Sequence, residues 1–375
     1  MLETTSSEAF ETDAADKSGG GPLEMRPAKI RALDRASFYA MFVLEHFIGR
    51  DNMVKLMGGA RQRLKDRMLE TVKQDGVGRK LPLDRRRNLS KKEFIEKYAR
   101  PGVPVVFEGV AKDWTCVKKW SLDYFSEEFG DDDVLLTDAE GTNSNPLGTA
   151  WEYITLRELI ENIDGGGLKY ARFHPLLQVH PELREDMDIQ WLRQHMYGRR
   201  TDLMTFYTVF LGGKGTNTAI HNAANDNLFM QIEGQKRWLL YPVAHTPVFD
   251  IEANRAPYKG CDLIPDEPDF EKYPMYRHVD YWETVLEPGD VLYNPPYVWH
   301  HVTNLTRSIG VGCRWTNVFT AFRRSPVFAT MELFNTRPNL AKAILMTLDD
   351  FNKVLINTKG REAEFKKFQK KHQRA

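Results

Sequence analysis

Apolar residues recur at two different spacings along this chain. Between residue 28 and about residue 76, most of them lie three or four positions apart, which is typical of amphipathic helices. These residues are Phe38, Phe42, Leu44, Phe47, Met53, Leu56, Leu64 and Met68. From Thr205 to Trp315, short runs rich in β-branched and aromatic residues alternate with turn residues. The second pattern predicts consecutive strands that form a closed β-barrel or a double-sheet jelly roll.

The same patterns divide the chain into five segments, in a fold that is mainly β with added helices. We predict a flexible tail (1–27), an N-terminal helical region (28–92), an α/β part that supports the barrel (93–204), the barrel core (205–317) and C-terminal helices (318–375). One long insertion, 244–285, interrupts the barrel and is rich in Pro, Asp and Tyr. Long insertions of this kind often form lids.

Two strand-like runs in the barrel carry its most distinctive polar residues. Asn227–Ile232 and Lys236–Pro242 are separated by a short segment that contains Gly234, which predicts a hairpin. Lys236 opens the second run, fifteen positions after His221. Its ammonium group could bind a dicarboxylate at the far end of a pocket.

Composition excludes some classes of protein. The 52 basic and 52 acidic side chains give a formal charge of zero, so no overall field favours nucleic acid or an anionic membrane. Three widely spaced cysteines suggest neither a disulfide framework nor a zinc cluster. The N-terminus lacks the order of a signal peptide, and the longest apolar stretch is too short to span a bilayer. We therefore expect a cytoplasmic protein.

His221 and His300 lie in two of the predicted strands and are candidate metal ligands. Mononuclear non-haem iron oxygenases hold Fe(II) with two histidines and one carboxylate, which leaves the remaining positions open. The carboxylate usually lies two residues after the first histidine. Here that position is Ala223, a methyl group, in the sequence His221-Asn222-Ala223.

Three ordered blocks resemble a known family, the JmjC and cupin-like Fe(II)/2-oxoglutarate oxygenases. The resemblance is strongest to the branch that contains the asparaginyl hydroxylase of hypoxia-inducible factor. The blocks are Thr218–His221 with Asp226–Leu228, Gln231, Gly234 and Lys236; Leu286–Val302; and Gly102–Val110 with Trp114 and Trp120. The resemblance covers about residues 93–317. It implies a double-stranded β-helix barrel flanked by N- and C-terminal helices.

The resemblance also implies roles for single residues. His221 and His300 would bind Fe(II), and Lys236 would bind the distal carboxylate of 2-oxoglutarate. Thr218, Asn227 and Tyr170 would contact the same cosubstrate, and O2 would be the second cosubstrate. Cys313 falls near a position where the related hydroxylase has an asparagine close to the cosubstrate.

Ala223 leads to three hypotheses. The favoured one is a radical halogenase that chlorinates an unactivated C–H bond, because halogenases of other branches carry Ala or Gly at this position. Chloride or bromide would occupy the vacancy, with Asn222 and Asn225 as hydrogen-bond donors by proximity. The second is a hydroxylase that uses water in place of the carboxylate. The third is an inactive JmjC-like binding protein or a site with a deliberate Asp-to-Ala change.

The expected partners follow from the branch and the composition. The substrate would be a small molecule, an amino acid or a peptide, and neither nucleic acid nor a membrane is expected. A homodimer through the C-terminal helices is a further hypothesis from the resemblance.

Overall fold

The computed structural model describes residues 11–12, 24–136, 142–143, 152–199, 205–251, 253 and 259–335. The strands are β1 Glu11–Thr12, β2 Arg79–Pro82, β3 Arg85–Arg86, β4 Val105–Phe107, β5 Asp133–Leu136, β6 Thr142–Asn143, β7 Glu152–Thr155, β8 Tyr170–His174, β9 Thr205–Gly212, β10 Asn217–Asn222, β11 Asp226–Glu233, β12 Lys236–Tyr241, β13 Lys259–Gly260, β14 Tyr281–Leu286, β15 Val291–Asn294, β16 Trp299–Asn304 and β17 Ser308–Trp315.

The α-helices are α1 Ala32–Ile48, α2 Arg50–Val72, α3 Lys91–Phe94, α4 Thr115–Lys119, α5 Leu122–Phe129, α6 Leu156–Asp164, α7 Leu176–Val179, α8 Ile189–His195, α9 Val318–Arg324 and α10 Pro326–Asn335. A π-helical turn, Ile95–Ala99, continues α3. Short 3-10 helices cover Lys73–Asp75, Pro181–Asp186, Val243–Phe249 and Pro274–His278.

Two mainly antiparallel sheets form the centre of the molecule. The first has the order β1-β2-β14-β12-β16-β10-β13, with β6 also paired to β10. The second has the order β3-β4-β15-β11-β17-β9-β8. Inward-facing side chains of both sheets pack in one apolar cluster that includes Phe210, Phe229, Trp238, Leu240 and Leu292. The result is a mixed α/β structure consistent with the cupin sandwich that the sequence predicts.

The predicted hairpin is wrong, because its two strands belong to different sheets. Strand β11 pairs with β15 and β17, whereas β12 pairs with β14 and β16. Gly234, at φ 71°, makes the turn that carries the chain from one sheet to the other. A Gly turn between two strand-like runs does not specify that the runs pair with each other, since long-range partners compete for both edges.

The described part of the insertion packs against the barrel. Residues 281–285 belong to β14, a barrel strand paired with β12. The short β13 pairs with β10 beside His221, at Gly260. Apolar side chains of the insertion are buried against the outer face of the first sheet together with α1 and α2; they include Val248, Phe249, Leu263, Met275 and Tyr276. The insertion therefore contributes to a second core outside the barrel.

Helices α1 and α2 occupy the region in which the apolar spacing predicts helix. Phe38, Phe42, Met53, Leu64 and Met68 are buried. Leu44, Phe47 and Leu56 are exposed, so the amphipathic face is narrower than the sequence suggests. Helix α6 begins with a capping box formed by Thr155 and Glu158. Among the described helices, none combines the length and the apolar character needed to span a membrane.

The C-terminal helices α9 and α10 follow the barrel directly. Phe328 of α10 packs its ring against Tyr39 and Phe42 of α1, at centroid distances of 6.1 and 5.7 Å. Residues 336–375 lie outside the described residues, as does most of the predicted 1–27 tail. The homodimer through the C-terminal helices therefore stays a prediction.

Candidate active site

Two histidines face each other at one end of the barrel. His221 on β10 and His300 on β16 are direct partners in the antiparallel register, and their ring centroids are 4.1 Å apart. His221 Nδ1 lies 2.8 Å from the Ala219 carbonyl oxygen, and His300 Nδ1 lies 2.9 Å from the Val298 carbonyl oxygen. Because a carbonyl oxygen only accepts, each Nδ1 carries the proton. Each Nε2 is thereby the ring nitrogen suited to binding a metal.

Burial disfavours the charged form of both histidines. Burial lowers the pKa of His221 well below its usual value, and the neighbouring His300 lowers it further. Burial also lowers the pKa of His300 to about 4. A metal binds the neutral imidazole, so this electrostatic environment suits a ligand pair.

Ala223 lies immediately after β10, and its carbonyl oxygen accepts a hydrogen bond of 2.8 Å from the Tyr297 N–H. The next carboxylate along the chain, Asp226, does not replace the missing ligand. It lies on the outer face of β11, where the Tyr293 hydroxyl donates to its Oδ1 at 2.7 Å. Burial raises the pKa of Asp226 to about 7. No group of three His, Cys, Asp or Glu residues that could hold a metal ion occurs in the described part of the chain.

The two predicted halide donors are engaged elsewhere. Asn222 alternates away from His221, and its Nδ2 lies 3.5 Å from the Tyr297 carbonyl oxygen. Asn225 donates from Nδ2 to Thr316 Oγ1 at 2.7 Å. Their predicted role as anion donors beside the histidines therefore has no support in these contacts.

Lys236 provides a fully buried cation in the same barrel. Its Nζ lies 2.5 Å from Asn304 Oδ1 and 3.4 Å from the Tyr170 hydroxyl. The ammonium group is also 5.5 Å from the ring centroids of both Tyr170 and Phe229. Burial lowers the pKa of Lys236 to about 7. A negatively charged ligand at this position would stabilise the protonated form.

The strand register places Lys236 and the histidines at two ends of the inner face of the first sheet. On the first sheet, Lys236 pairs with Asn304, whereas Leu240 pairs with His300. Four residues along a strand correspond to about 13 Å. The long Lys236 side chain covers part of this distance, and Thr218 lowers the pKa of the neighbouring Tyr170 hydroxyl. The arrangement suits a dicarboxylate with one end at Lys236 and the other near the histidines.

The second sheet adds a polar row at the histidine end. Asn227 is directly opposite Asn294 on one side and Arg314 on the other. Asn294 Nδ2 lies 3.3 Å from His300 Nδ1. Asn227 Oδ1 is buried and has no hydrogen-bond partner among the described residues. The structure thus places Asn227 near the histidines, at the opposite end of the pocket from Lys236.

Sequence reasoning missed several pocket residues, and Cys313 proved misleading. Cys313 is fully buried on the outer face of β17 opposite Leu228, so it does not face the pocket. Its neighbour Arg314 does, following Gly310 and Gly312 on the same face of the strand. The two-residue alternation of β17 was a signal that could have identified Arg314. No comparable sequence pattern marked the other missed residues, which are Arg172, Asn294, Asn304 and Trp238.

Comparison with known proteins agrees with this architecture. The family described as "Cupin-like domain" matches residues 90–321, and the chain belongs to this family. Lysine-specific demethylase 8 of Xenopus tropicalis is 31% identical over 233 residues, which cover 60% of this chain and 51% of the relative. Lysine-specific demethylase JMJ30 of Arabidopsis thaliana is 28% identical over 249 residues, 63% of this chain and 55% of the relative.

A further relative matches over more of its length. tRNA wybutosine-synthesizing protein 5 of Mus musculus is 26% identical over 292 residues, which cover 74% of this chain and 90% of the relative. By contrast, the chain spans about half the length of the two demethylases.

This family implies two bound groups, 2-oxoglutarate and Fe(II), and the residues present fit the first better than the second. Lys236, Tyr170 and Asn304 fit the distal carboxylate of 2-oxoglutarate, since they offer a buried cation and polar groups. The two neutral imidazoles suit Fe(II). The described residues supply no third ligand, so the iron site is one protein ligand short of the usual three.

Proposed function

We propose that this protein is a 2-oxoglutarate-dependent oxygenase that hydroxylates a peptide, a protein or a small molecule. The observation that carries the proposal is Lys236, a cation without any exposed surface whose charged form is destabilised by burial. Its hydrogen-bond partners Asn304 and Tyr170 are neutral, and a buried ammonium group that has no anion beside it costs roughly several kcal/mol of stability. Membership of the cupin-like family and the names of its relatives support the same class of activity.

When bound, Fe(II) and 2-oxoglutarate supply the oxidising chemistry of this class. The chain supplies binding and orientation. Lys236 binds the distal carboxylate, and Tyr170 and Asn304 lie within hydrogen-bond distance of its ammonium group. The backbone carbonyls of Ala219 and Val298 fix the orientation of the two imidazoles. Trp238 stacks on His300, with ring centroids 5.4 Å apart, and helps to exclude water from the pocket.

Hydroxylation is a better proposal than halogenation. The halogenase hypothesis depends on a halide beside Ala223, but Asn222 and Asn225 direct their amides to Tyr297 and Thr316. The relatives are named as demethylases and as a tRNA-modifying protein, and none of these names refers to a halogenase. A water molecule in place of the carboxylate requires no such donors.

Binding and turnover of 2-oxoglutarate test the proposal. Anaerobic protein with Fe(II) should bind 2-oxoglutarate in calorimetry and, after exposure to oxygen with a peptide and metabolite library, convert it to succinate. We expect Lys236→Met to weaken 2-oxoglutarate binding at least about tenfold, because it removes a charge-assisted contact. His221→Ala should abolish succinate formation while it preserves the fold.

His301→Ala is the matched control for these variants. His301 neighbours His300 but points to the other side of β16, toward Thr303 Oγ1 at 3.2 Å. Its replacement should leave binding and turnover unchanged. If the wild-type protein binds 2-oxoglutarate but forms no succinate with any substrate, it is an inactive binding protein. Chlorine isotope patterns in the products would instead restore the halogenase hypothesis.

A further inference from the structure

Tyr297 adopts an unusual backbone conformation beside the candidate metal ligands. It lies in the loop between β15 and β16, three residues before His300, and its φ is 61°. A bulky residue in this left-handed region is strained, and such strain persists where the surrounding structure holds it in place, often at functional sites. Tyr297 has no exposed surface. Its contacts should therefore show what the strained conformation is needed for.

The backbone of Tyr297 contacts the segment that follows His221. Its N–H donates to the Ala223 carbonyl oxygen at 2.8 Å, and its carbonyl oxygen lies 3.5 Å from Asn222 Nδ2. His221 and His300 are direct partners in the β10–β16 register, so these contacts extend the link between the two strands beyond the histidine pair. Ala223, at the position of the missing carboxylate, is thus held by the loop that leads into His300.

The residue after Tyr297 orients one of the two imidazoles. The carbonyl oxygen of Val298 accepts the hydrogen bond from His300 Nδ1, at 2.9 Å. Because the two backbone dihedral angles of Tyr297 set the course of the chain into Val298, a change in them would move this carbonyl group and the His300 ring with it. Tyr297 therefore adjoins both the third ligand position and the group that orients a ligand.

The side chain of Tyr297 is anchored to helix α10. Its hydroxyl donates to Glu332 Oε2 at 3.1 Å, and its ring centroid lies 5.5 Å from that of Phe328. Phe328 and Glu332 are four residues apart, so they lie on the same face of the helix. Burial raises the pKa of the Tyr297 hydroxyl, and the Glu332 carboxylate raises it further, so the hydroxyl remains a donor. Two contacts from one helix face thus hold the ring of the strained residue.

We propose that Tyr297 is a positioning residue of the metal site. Anchored to α10 by Glu332, it holds Ala223 and the Val298 carbonyl group in place. It thereby sets the direction of the His300 ring and the space at the third ligand position. This inference rests on the proposed function, because it concerns the same pair of metal ligands. Since the described residues supply two ligands instead of three, the geometry of a bound ion depends more strongly on the orientation of each.

Co(II) is a suitable probe of this role, because its visible absorption changes with the number and geometry of its ligands. It is titrated alone into the full-length, metal-free protein, and His221→Ala should abolish the absorption. Tyr297→Phe removes the hydroxyl and keeps the ring. We expect this variant to change the shape of the Co(II) spectrum and to weaken Co(II) binding about tenfold, because the ligands are no longer held in one orientation.

Tyr293→Phe is the matched control. It also removes a buried hydroxyl that donates to a carboxylate, Asp226 Oδ1 at 2.7 Å, but on the outer face of the sheet. We expect both substitutions to lower the thermal unfolding midpoint, and only Tyr297→Phe to change the Co(II) spectrum and affinity. If Tyr297→Phe lowers the midpoint and leaves the spectrum unchanged, the hydroxyl only attaches α10, and the positioning role is overturned. Equal spectral changes in both variants would overturn it as well.

Two substitutions at Glu332 test the link to α10 while Tyr297 stays intact. Glu332→Gln keeps an acceptor oxygen for the hydroxyl and should preserve the wild-type Co(II) spectrum. Glu332→Ala removes the acceptor and should reproduce the spectrum of Tyr297→Phe. Glu332 is partly exposed, so both variants should fold. A wild-type spectrum in Glu332→Ala would overturn the role of α10.

Succinate formation separates this inference from the proposed function. If the wild-type protein forms succinate and the spectra of the Tyr297 and Glu332 variants match that of wild type, the positioning role is wrong and the oxygenase stands. If the spectra change as expected but no succinate forms, the positioning role stands and the oxygenase is wrong. If the wild-type protein binds no Co(II), the two histidines hold no metal and both are wrong.

Discussion

At the scale of the residue, Ala223 and Lys236 determine what this pocket can bind. Ala223 leaves two histidines without a third protein ligand among the described residues. Even the loss of a group that only hydrogen-bonds to a metal ligand typically lowers metal affinity about 10–100-fold. We therefore expect Ala223→Asp, which adds a ligand, to raise the affinity for Fe(II) or Mn(II) at least about tenfold, as measured by anaerobic calorimetry. Unchanged affinity would show that residue 223 does not face the metal.

The same variant should leave the Lys236 end of the barrel interior unchanged. Binding of 2-oxoglutarate at Lys236 should persist.

Lys236 should make cosubstrate binding dependent on pH. Burial lowers its pKa to about 7, so the empty pocket releases the proton as the pH rises above 7. Binding a carboxylate requires the charged form, and the proton must then be taken up. We expect the dissociation constant of 2-oxoglutarate to rise by up to about tenfold per pH unit between pH 7 and pH 9.

A lysine-to-arginine change provides the control for this pH dependence. Arginine stays charged throughout that range, so Lys236→Arg should show a flat profile wherever it still binds. A wild-type affinity that is constant from pH 7 to pH 9 would show that Lys236 is charged in the empty pocket. For the ligand-free protein, the lowered pKa means that the folded state binds fewer protons than the unfolded state above pH 7. The contribution of Lys236 to stability therefore rises with pH from about 7 to about 10.

At the scale of the element, glycines on the inner face of β17 make room for the pocket. A Cβ atom at Gly310 would lie 2.4 Å from Phe229 Cζ and 3.5 Å from Lys236 Cε. Gly310→Ala should therefore displace the Phe229 ring beside Lys236, cost about 2 kcal/mol in the free energy of unfolding and weaken 2-oxoglutarate binding. Urea denaturation and calorimetry would measure the two effects.

Gly312→Ala is the matched control on the same strand and face. Its Cβ atom would lie no closer than 3.3 Å to any neighbouring atom, here Phe210 Cε2. We expect a change below about 1 kcal/mol. If the two substitutions lower the free energy of unfolding equally, the backbone of β17 rather than the Phe229 ring limits the space for a side chain there.

At the scale of the whole molecule, a buried ion network attaches the N-terminal helices to the barrel insertion. Glu45 of α1 is 1% exposed and forms ion pairs with Arg50 and Arg61 of α2. Arg61 Nη2 and Lys65 Nζ in turn lie 2.6 and 2.5 Å from the carboxylate of Asp250, at the end of the 3-10 helix Val243–Phe249. Glu45 Oε1 also accepts a hydrogen bond of 3.1 Å from the Ala253 N–H. The network joins three segments that lie far apart in the sequence.

Neutralising Glu45 should destabilise the whole protein. Glu45→Gln leaves Arg61 with one carboxylate partner instead of two, and we expect a loss of about 3 kcal/mol in urea denaturation. Glu70 of α2 forms an exposed ion pair with Lys73. Glu70→Gln removes this pair and should change the free energy of unfolding by no more than roughly a few tenths of a kcal/mol. If both substitutions have the same small effect, the helical layer is held by apolar packing alone.

The sequence by itself determined the local features of this protein. Apolar spacing identified the helices α1 and α2 and the succession of barrel strands, because burial of one face imposes a fixed period on helix and strand. The motif around His221, Lys236 and His300 indicated the family, and the missing carboxylate at Ala223 was visible without coordinates. These features depend on neighbouring residues or on a linear motif.

Only the tertiary structure decided which distant residues meet. It separated β11 from β12, which a local turn had joined into a hairpin, because each strand pairs with partners about 40 to 90 residues away in the sequence. It turned Asp226 and Cys313 away from the pocket, since alternate side chains of a strand face opposite sides. It also formed the bulge at Phe173 of β8, which no sequence pattern marks. A linear sequence fixes the face of a side chain only when the register is known, and the register is set by long-range pairing.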